Sequence, residues 1–487
     1  MRRTFAWLGA VASLLAACGS SGSGSVQDGG TGGRDAPIDD GGVGGDSGTS
    51  GDAPPGDGAS SDGAGSCGSI ASFVPDWVKN AAPTREIYVS PAGSDANDGS
   101  AATPFKTSAK AFSMIAPGVR INYKTGAYDC PPFASDVLAT TANPIIVRAI
   151  DGPRTATFDC GGTGDFYFSH ARAIVLDGLE ISHTSGHGVQ LDSGSGFATK
   201  DLSSDFVLMN SYVHDTQLAG IKVAQSLRIY VIANEFAHCG PGRQCTEFVA
   251  SDMPVIVGND ASASDAFDEV KGGAHGGIIA LNHVHDMNTG GGGILVGGDC
   301  TGEQYLVDPT VDFEAKDLYV WSNVITGADG FAFRIVGCHD CIVANNTYDS
   351  PAPAAILRII HDAFASQGSM TCDVPLHNAN VRIANNVFSW PKSSIDVIPT
   401  DDSPANIVFD HNLWFAAGDD VTKLYSDMPF VGEPTSLYNQ DPKLVSPPMD
   451  VSLGPGSPAK SAGTPIAQVL GTIGDKCPAS PPDMGAY

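Results

Sequence analysis

An asparagine followed two residues later by an apolar or aromatic residue recurs along this chain. Asn210 precedes Tyr212, Asn234 precedes Phe236, Asn282 precedes Val284, and Asn323 precedes Ile325. Asn346 precedes Tyr348, Asn386 precedes Phe388, and Asn412 precedes Trp414. Successive positions differ by 24, 48, 41, 23, 40 and 26. The short spacings define a unit of about 24 residues, a period at which solenoids repeat, and the long ones leave room for loops. Asn suits a sharp corner because it tolerates left-handed backbone. Amides stacked in successive corners also hydrogen-bond along the stack.

One whole unit can be read between Ser264 and Asp299, SDAFDEVKGGAHGGIIALNHVHDMNTGGGGILVGGD. A run through Phe267 and Val270 ends at Gly272-Gly273, and a second, Gly277 to Leu281, leads into Asn282. A third, through Val284, ends at Asp286; after a Gly-rich turn, Gly293 to Gly298 resembles the first run again. Each run is too short for a helix and is bounded by turn residues. Three strands, two corners and a return to the start make one rung of a coil. The predicted fold class is all-β, a solenoid whose core extends along one axis.

The chain opens with Met1-Arg2-Arg3 and an apolar run from Phe5 to Ala17, a charged and then an apolar region too short to span a bilayer. Leu15-Ala16-Ala17-Cys18 resembles the lipobox of bacterial lipoproteins. That resemblance implies cleavage of residues 1–17, lipidation of Cys18, and a membrane anchor made of acyl chains. Gly19 stands where an Asp would signal inner-membrane retention. The expected location is therefore the bacterial cell envelope, as an outer-membrane lipoprotein facing the periplasm or the exterior. A plain secretory signal is the alternative. Residues 18–66, the anchor Cys and a stretch of nearly all Gly, Ser, Asp, Ala, Pro and Thr, read as a tether of about 40 Å root-mean-square span. Residues 67–487 form the folded domain.

Lys and Arg total 26 against 54 Asp and Glu, a formal net charge of −28. Such a field argues against nucleic acid or an anionic membrane surface as partner. A polyanionic substrate would need a local basic patch. The sequence has 11 Cys, and setting Cys18 aside leaves an even number, consistent with disulfides in an oxidising compartment. Cys239 and Cys245 flank the short loop GPGRQ and are expected to close it with a disulfide, and Cys130 and Cys160 end the similar runs AYDC and TFDC. Aligning Gly293-to-Cys300 with Gly330-to-Cys338 pairs those two cysteines across adjacent rungs. Cys341 then pairs with Cys372, and Cys67 with Cys477 by elimination. Cys338-His339-Asp340-Cys341 also has the look of a redox or zinc half-site, but has no second half.

The entry to the coil reads YVSPAGSDANDGSAATPFKTSAKAF, with a strand at Ile87 to Ser90 and a short helix expected near Ser108 to Ile115. That helix would cap the open end of the coil. The chain closes with DPKLVSPPMDVSLGPGSPAKSAG and Asp483-Met484-Gly485-Ala486-Tyr487. Both ends resemble secreted right-handed parallel β-helix proteins of the pectate-lyase-like superfamily. The resemblance spans roughly Ile87 to Tyr487. It implies a right-handed parallel β-helix with an N-terminal capping helix. It does not select one reaction, because the same ends occur in proteins of several activities.

Lining up the strands that follow the Gly-rich turns puts Gln190, Lys222, Glu269 or Lys271, Leu295, Arg334, Arg358 and Asp396 along one side of the coil. Leu191, Val223, Val270, Ile335, Ile359 and Val397 alternate with them and should point inward. A column of Lys and Arg on an acidic protein suggests an acidic polysaccharide as partner, or else a surface salt-bridge network. β-Elimination on a uronic acid polymer needs the carboxylate neutralised, often by calcium, and a base to remove the neighbouring proton; in this superfamily the base is commonly Lys or Arg. The candidate catalytic residues are Lys271 and Glu269, with Lys222, Arg334 and Arg358 binding substrate. Asp260, Asp265 and Asp268 are the candidate calcium ligands.

Ser264-Asp265-Ala266-Phe267 followed by Lys271 is similar to the calcium-binding stretch of family-nine pectate lyases, where Asp265 matches a ligand. Those enzymes carry further Asp residues on the next rung, which here reads MNTGGGGILVGG. The site is expected in a groove over Lys271, walled by long loops at 239–264 and 301–316. Glycoside hydrolysis is a second possibility, with Asp265, Asp268, Glu269 and Asp396 as carboxyl groups. A third is a non-catalytic glycan-binding or cell-surface structural protein. His214, His238, His283 and His285 lie near one corner. His283 and His285 flank Val284 and should point the same way, as a metal pair or an acid/base pair does, or as corner histidines bound to backbone. The protein is expected to be a monomer.

Overall fold

The computed structural model describes residues 68–298, 301–360, 366–367, 370–371, 377–391, 397–398, 406–424, 433–473 and 478–487. Cys18, Cys67, Cys300, Cys372, Asp396 and Cys477 lie outside them. The chain winds as a right-handed parallel β-helix with three faces. In the unit read above, Ala266–Lys271 lies on the third face, Ile278–Ala280 on the first and His283–His285 on the second, and Gly292–Gly297 returns to the third. The return is in register: Asp268 pairs with Ile294, Glu269 with Leu295 and Val270 with Val296, all parallel.

The first and second faces meet at a buried asparagine ladder. In Asn234, Asn259, Asn282, Asn323, Asn346 and Asn386, each Nδ2 donates to the Oδ1 of the next Asn and to a backbone carbonyl of the preceding rung. Asn412 ends the run, its backbone N–H donating to Ser436 Oγ at 2.7 Å. The ladder adds Asn259, which the sequence pattern misses because an alanine, Ala261, stands two residues on. It excludes Asn210: Ser211 takes that place, its N–H donating to Asn234 Oδ1 at 3.0 Å. The ladder asparagines are also not the left-handed residues. That conformation belongs to the residue before each, such as Ala233 (φ 56°), Leu281 (φ 59°) and Ser322 (φ 52°). Asn recurs because its amide has two donors and an acceptor oxygen to give to neighbouring rungs, not because it bends the chain.

The interior is filled by stacked aliphatic and aromatic columns, among them Phe236, Phe248, Val284, Ile325, Tyr348 and Phe388, all within 1% of full burial. The open N-terminal end is covered as expected. The helix Ser108–Phe112 starts at Thr107, whose hydroxyl accepts from Lys110 N–H, and buries Ala111 and Phe112. Cys130–Cys160 is a disulfide, as expected. Cys338 is bonded to Cys341, not to Cys300, which also removes the pairing of Cys341 with Cys372. The expected Cys239–Cys245 bridge is not formed: both cysteines are free and buried, with their sulfurs 2.6 Å apart.

Candidate functional site on the third face

Register along the third face runs Gln190, Lys222, Glu247, Glu269, Leu295, Arg334, Arg358. The column expected from the sequence is present, with Glu269 rather than Lys271 in line; Lys271 pairs with Val249, two residues further along the strand. Glu247 was missed because 239–264 reads as a loop. That segment is a complete rung, with strands Gln244–Val249, Val255–Val257 and Asp260–Ser262. The inward neighbours Val223, Phe248, Val270, Ile335 and Ile359 are buried, as the alternation requires.

The middle of the column is a buried charge cluster. Lys222 Nζ binds Glu247 Oε1, and Lys271 Nζ lies 2.9 Å from Glu269 Oε2. Glu247, Glu269 and Lys271 are 4%, 3% and 5% exposed, whereas the Lys222 side chain is 20% exposed. Burial pushes the Glu247 carboxyl up, but Lys222 and then Lys271 outweigh it and bring it down to about 2. The expected groove over Lys271 is closed. A Cβ on Gly298 would stand 2.6 Å from Lys271 Cβ, so the chain passes directly over the lysine. Glu314, buried beside it, accepts from Gly272 N–H and Thr301 N–H at 2.7 Å and from Thr301 Oγ at 2.7 Å. Tyr305 then reaches back to Gln225, whose Nε2 donates to its carbonyl at 3.0 Å. The 301–316 excursion folds onto the face instead of standing beside a groove.

His187 also stands by this cluster, and no pattern in the sequence marked it. Burial holds its imidazole down to about 4, near Glu247 and Lys222. Its Nδ1 accepts from Ala219 N–H at 3.1 Å. Further along the column Leu295 is buried, with Arg334 and Arg358 half-buried and directly paired in register.

The three expected calcium ligands do not converge. Asp268 turns into the coil, fully buried in line with Thr246 and Ile294. Thr246 Oγ donates to its Oδ1, and its Oδ2 has no hydrogen-bond partner. Burial raises its carboxyl well above the usual carboxylate range. Asp265 sits at the corner, accepting from Gly242 N–H and from Asn288 Nδ2. Asp260 lies on the second face between His283 and His285. These residues offer no common oxygen cage of the kind calcium takes.

An open cavity of about 590 Å³ lies between the capping helix and the strand Ala134–Leu138, with Phe133 and Leu138 exposed at its edge. None of the predicted site residues lines it.

No family model matches the sequence, and no curated protein matches it. Solved structures with a similar course include the pectate lyase Pel9A, 16% identical over 84% of this chain and 98% of that chain, with a TM-score of 0.46. A rhamnogalacturonan lyase is 13% identical over 67% of this chain and 87% of that chain, TM-score 0.45. The GH136 lacto-N-biosidase from Eubacterium ramulus is 12% identical over 67% of each chain, TM-score 0.39.

Proposed function

We propose that this is a polysaccharide-active protein of the bacterial cell envelope, anchored through lipid on Cys18. It takes a uronic acid polymer along the outer side of the third face and cuts it by β-elimination. The register of Arg334 against Arg358 carries this reading. On strands about 4.8 Å apart, two guanidinium groups are spaced closely enough to meet successive anionic groups of one polymer. Their planar forks suit carboxylates repeated along a polymer. Lys222 lies on the same strip but is paired with Glu247. Neutralising a substrate carboxylate acidifies the proton beside it, which is what elimination requires. The proton transfer in this reading belongs to the Lys271–Glu269 pair. Lys271, whose ammonium lies 2.9 Å from Glu269 Oε2, acts as base only after it has lost its proton to solvent and the chain covering it has moved aside.

One observation favours a second reading, binding without cleavage: Lys271 is 5% exposed and already engaged with Glu269. Incubation with a panel of uronic acid polysaccharides separates the two. Absorbance from unsaturated product ends marks a lyase. New reducing ends without that absorbance mark a hydrolase. Retention of polymer with neither marks a binding protein.

A further inference from the structure

Away from the third face, the second face carries a compact group of ligating side chains. Asp260 and His283 are direct register partners on adjacent strands, and His285 follows two residues on, on the same side. His283 Nδ1 lies 2.9 Å from Asp260 Oδ2, and His285 Nε2 lies 3.0 Å from Asp260 Oδ1. The two rings stack with centroids 4.5 Å apart and planes 22° apart. The one ligand atom each residue offers lies within 4.8 Å of the others. All three side chains reach solvent, with exposures of 45%, 43% and 27% for Asp260, His283 and His285.

We infer that Asp260, His283 and His285 form a binding site for a divalent transition-metal ion of the zinc class. An ionised carboxylate only accepts, so each imidazole nitrogen facing Asp260 must present either a proton or a shared cation. His285 is wedged between two carboxylates, because its Nδ1 also lies 2.9 Å from Asp286 Oδ2. A metal ion placed between these groups takes His283 Nδ1, His285 Nε2 and an Asp260 oxygen at once. His285 keeps Nδ1–H on Asp286 and turns a bare Nε2 to the ion, the outer carboxylate arrangement that orients metal-bound histidines. Ligand atoms about 2.1 Å from one ion at the tetrahedral angle lie about 3.4 Å apart, so the 2.9 and 3.0 Å Asp260 contacts open by a few tenths of an ångström to admit the ion. Two imidazoles and one carboxylate select zinc, copper, nickel or cobalt over calcium, which prefers oxygen ligands.

The ion would join the strands Asp260–Ser262 and His283–His285, so it would staple two successive rungs and leave coordination positions open to solvent. A second group, Asp312, His339 and His377, is less suited. His339 Nδ1 is 4.0 Å from Asp312, and its Nε2 faces the His377 carbonyl at 3.2 Å.

The test is titration of the purified, metal-stripped full chain with Zn²⁺ by calorimetry and with Co²⁺ by visible absorption. Wild type should bind one equivalent at this site, develop the cobalt ligand-field band and melt at a higher temperature with Zn²⁺. Asp286→Asn should weaken binding by about 10–100-fold. Asp260→Ala, His283→Ala and His285→Ala should each weaken it by more than that. The three residues are surface groups, and melting of each metal-free variant checks that the coil is intact. Binding that persists unchanged in His285→Ala, or that is lost in His339→Ala instead, overturns the assignment, as does wild type that binds neither ion.

Discussion

Asn282 donates its Nδ2 to Asn323 Oδ1 at 2.9 Å although 41 residues of chain separate them. The excursion at 301–316 is inserted between these two asparagines, and the ladder continues across its base without a break. Register is therefore kept at the corner, where each rung hands two amide hydrogens and an acceptor oxygen to its neighbours.

The ladder can be interrupted at one residue. Asn346 Nδ2 donates to Val320 O at 3.1 Å and Asn386 Oδ1 at 2.9 Å, and its Oδ1 receives Asn323 N–H and Nδ2 at 2.9 Å. Asn346→Leu leaves those buried partners unsatisfied, at a cost of about 1–3 kcal/mol. Chemical denaturation should show a lower midpoint with an unchanged slope. A midpoint equal to that of wild type would contradict the ladder's role.

The coil and its charged column were legible because both depend on short-range alternation. Once Val223, Val270, Ile335 and Ile359 face inward, Lys222, Glu269, Arg334 and Arg358 must face outward. Two things were not legible. The acid-rich run around Asp268 misleads: Asp268 has the parity of the inward Val270, so alternation itself turns it in toward Thr246, while Phe267, which should face outward with Glu269, is buried at the corner. Nor does the sequence say on which side of the coil an excursion lies. The covering of Lys271 depends on contacts such as Gln225 with the Tyr305 carbonyl, which join residues 80 apart.

Asp268 gives stability a pH dependence of known sign. Its folded carboxyl holds its proton well above the range in which an unfolded aspartate loses it. The folded state then binds more protons than the unfolded one, so stability falls as pH rises above the unfolded value. The contribution is fully present only at lower pH. Asp268→Asn keeps the acceptor for Thr246 and removes the titration. Its melting temperature should exceed that of wild type at pH 8, with the difference shrinking toward pH 4. A constant difference across that interval would show that Asp268 is ionised in the folded protein.

The proposed anchor is tested separately from the fold. Cys18→Ala should release the protein from the membrane fraction or leave the signal segment uncleaved. Wild type should carry acyl chains on its mature N-terminus, read by mass spectrometry. An acyl-free N-terminus with unchanged membrane fractionation of Cys18→Ala would remove the lipoprotein reading.

Lys271 and Arg358 separate structural from functional cations on the third face. Lys271 and Glu269 form a pair whose side chains are 6% and 5% exposed. Removing one partner strands the other's charge in a buried site, so Lys271→Ala should cost about 3–5 kcal/mol of stability. Lys271→Met combined with Glu269→Leu should recover most of that loss, because no unpaired charge remains. Activity has to be measured on this stable double variant. If the pair carries the proton transfer, the rate should fall by at least about a hundredfold. Full activity on a uronic acid polymer would move the chemistry elsewhere. Arg358 is half-buried on the same strip, and Arg358→Ala should act differently. It should raise KM or Kd for acidic polymer several-fold and leave kcat close to wild type, since it clamps a carboxylate on a sugar other than the one that loses its proton and so holds ground state and transition state alike. Equal binding of acidic and neutral polymers by wild type, unaltered in Arg358→Ala, would rule the arginine strip out as the polymer site.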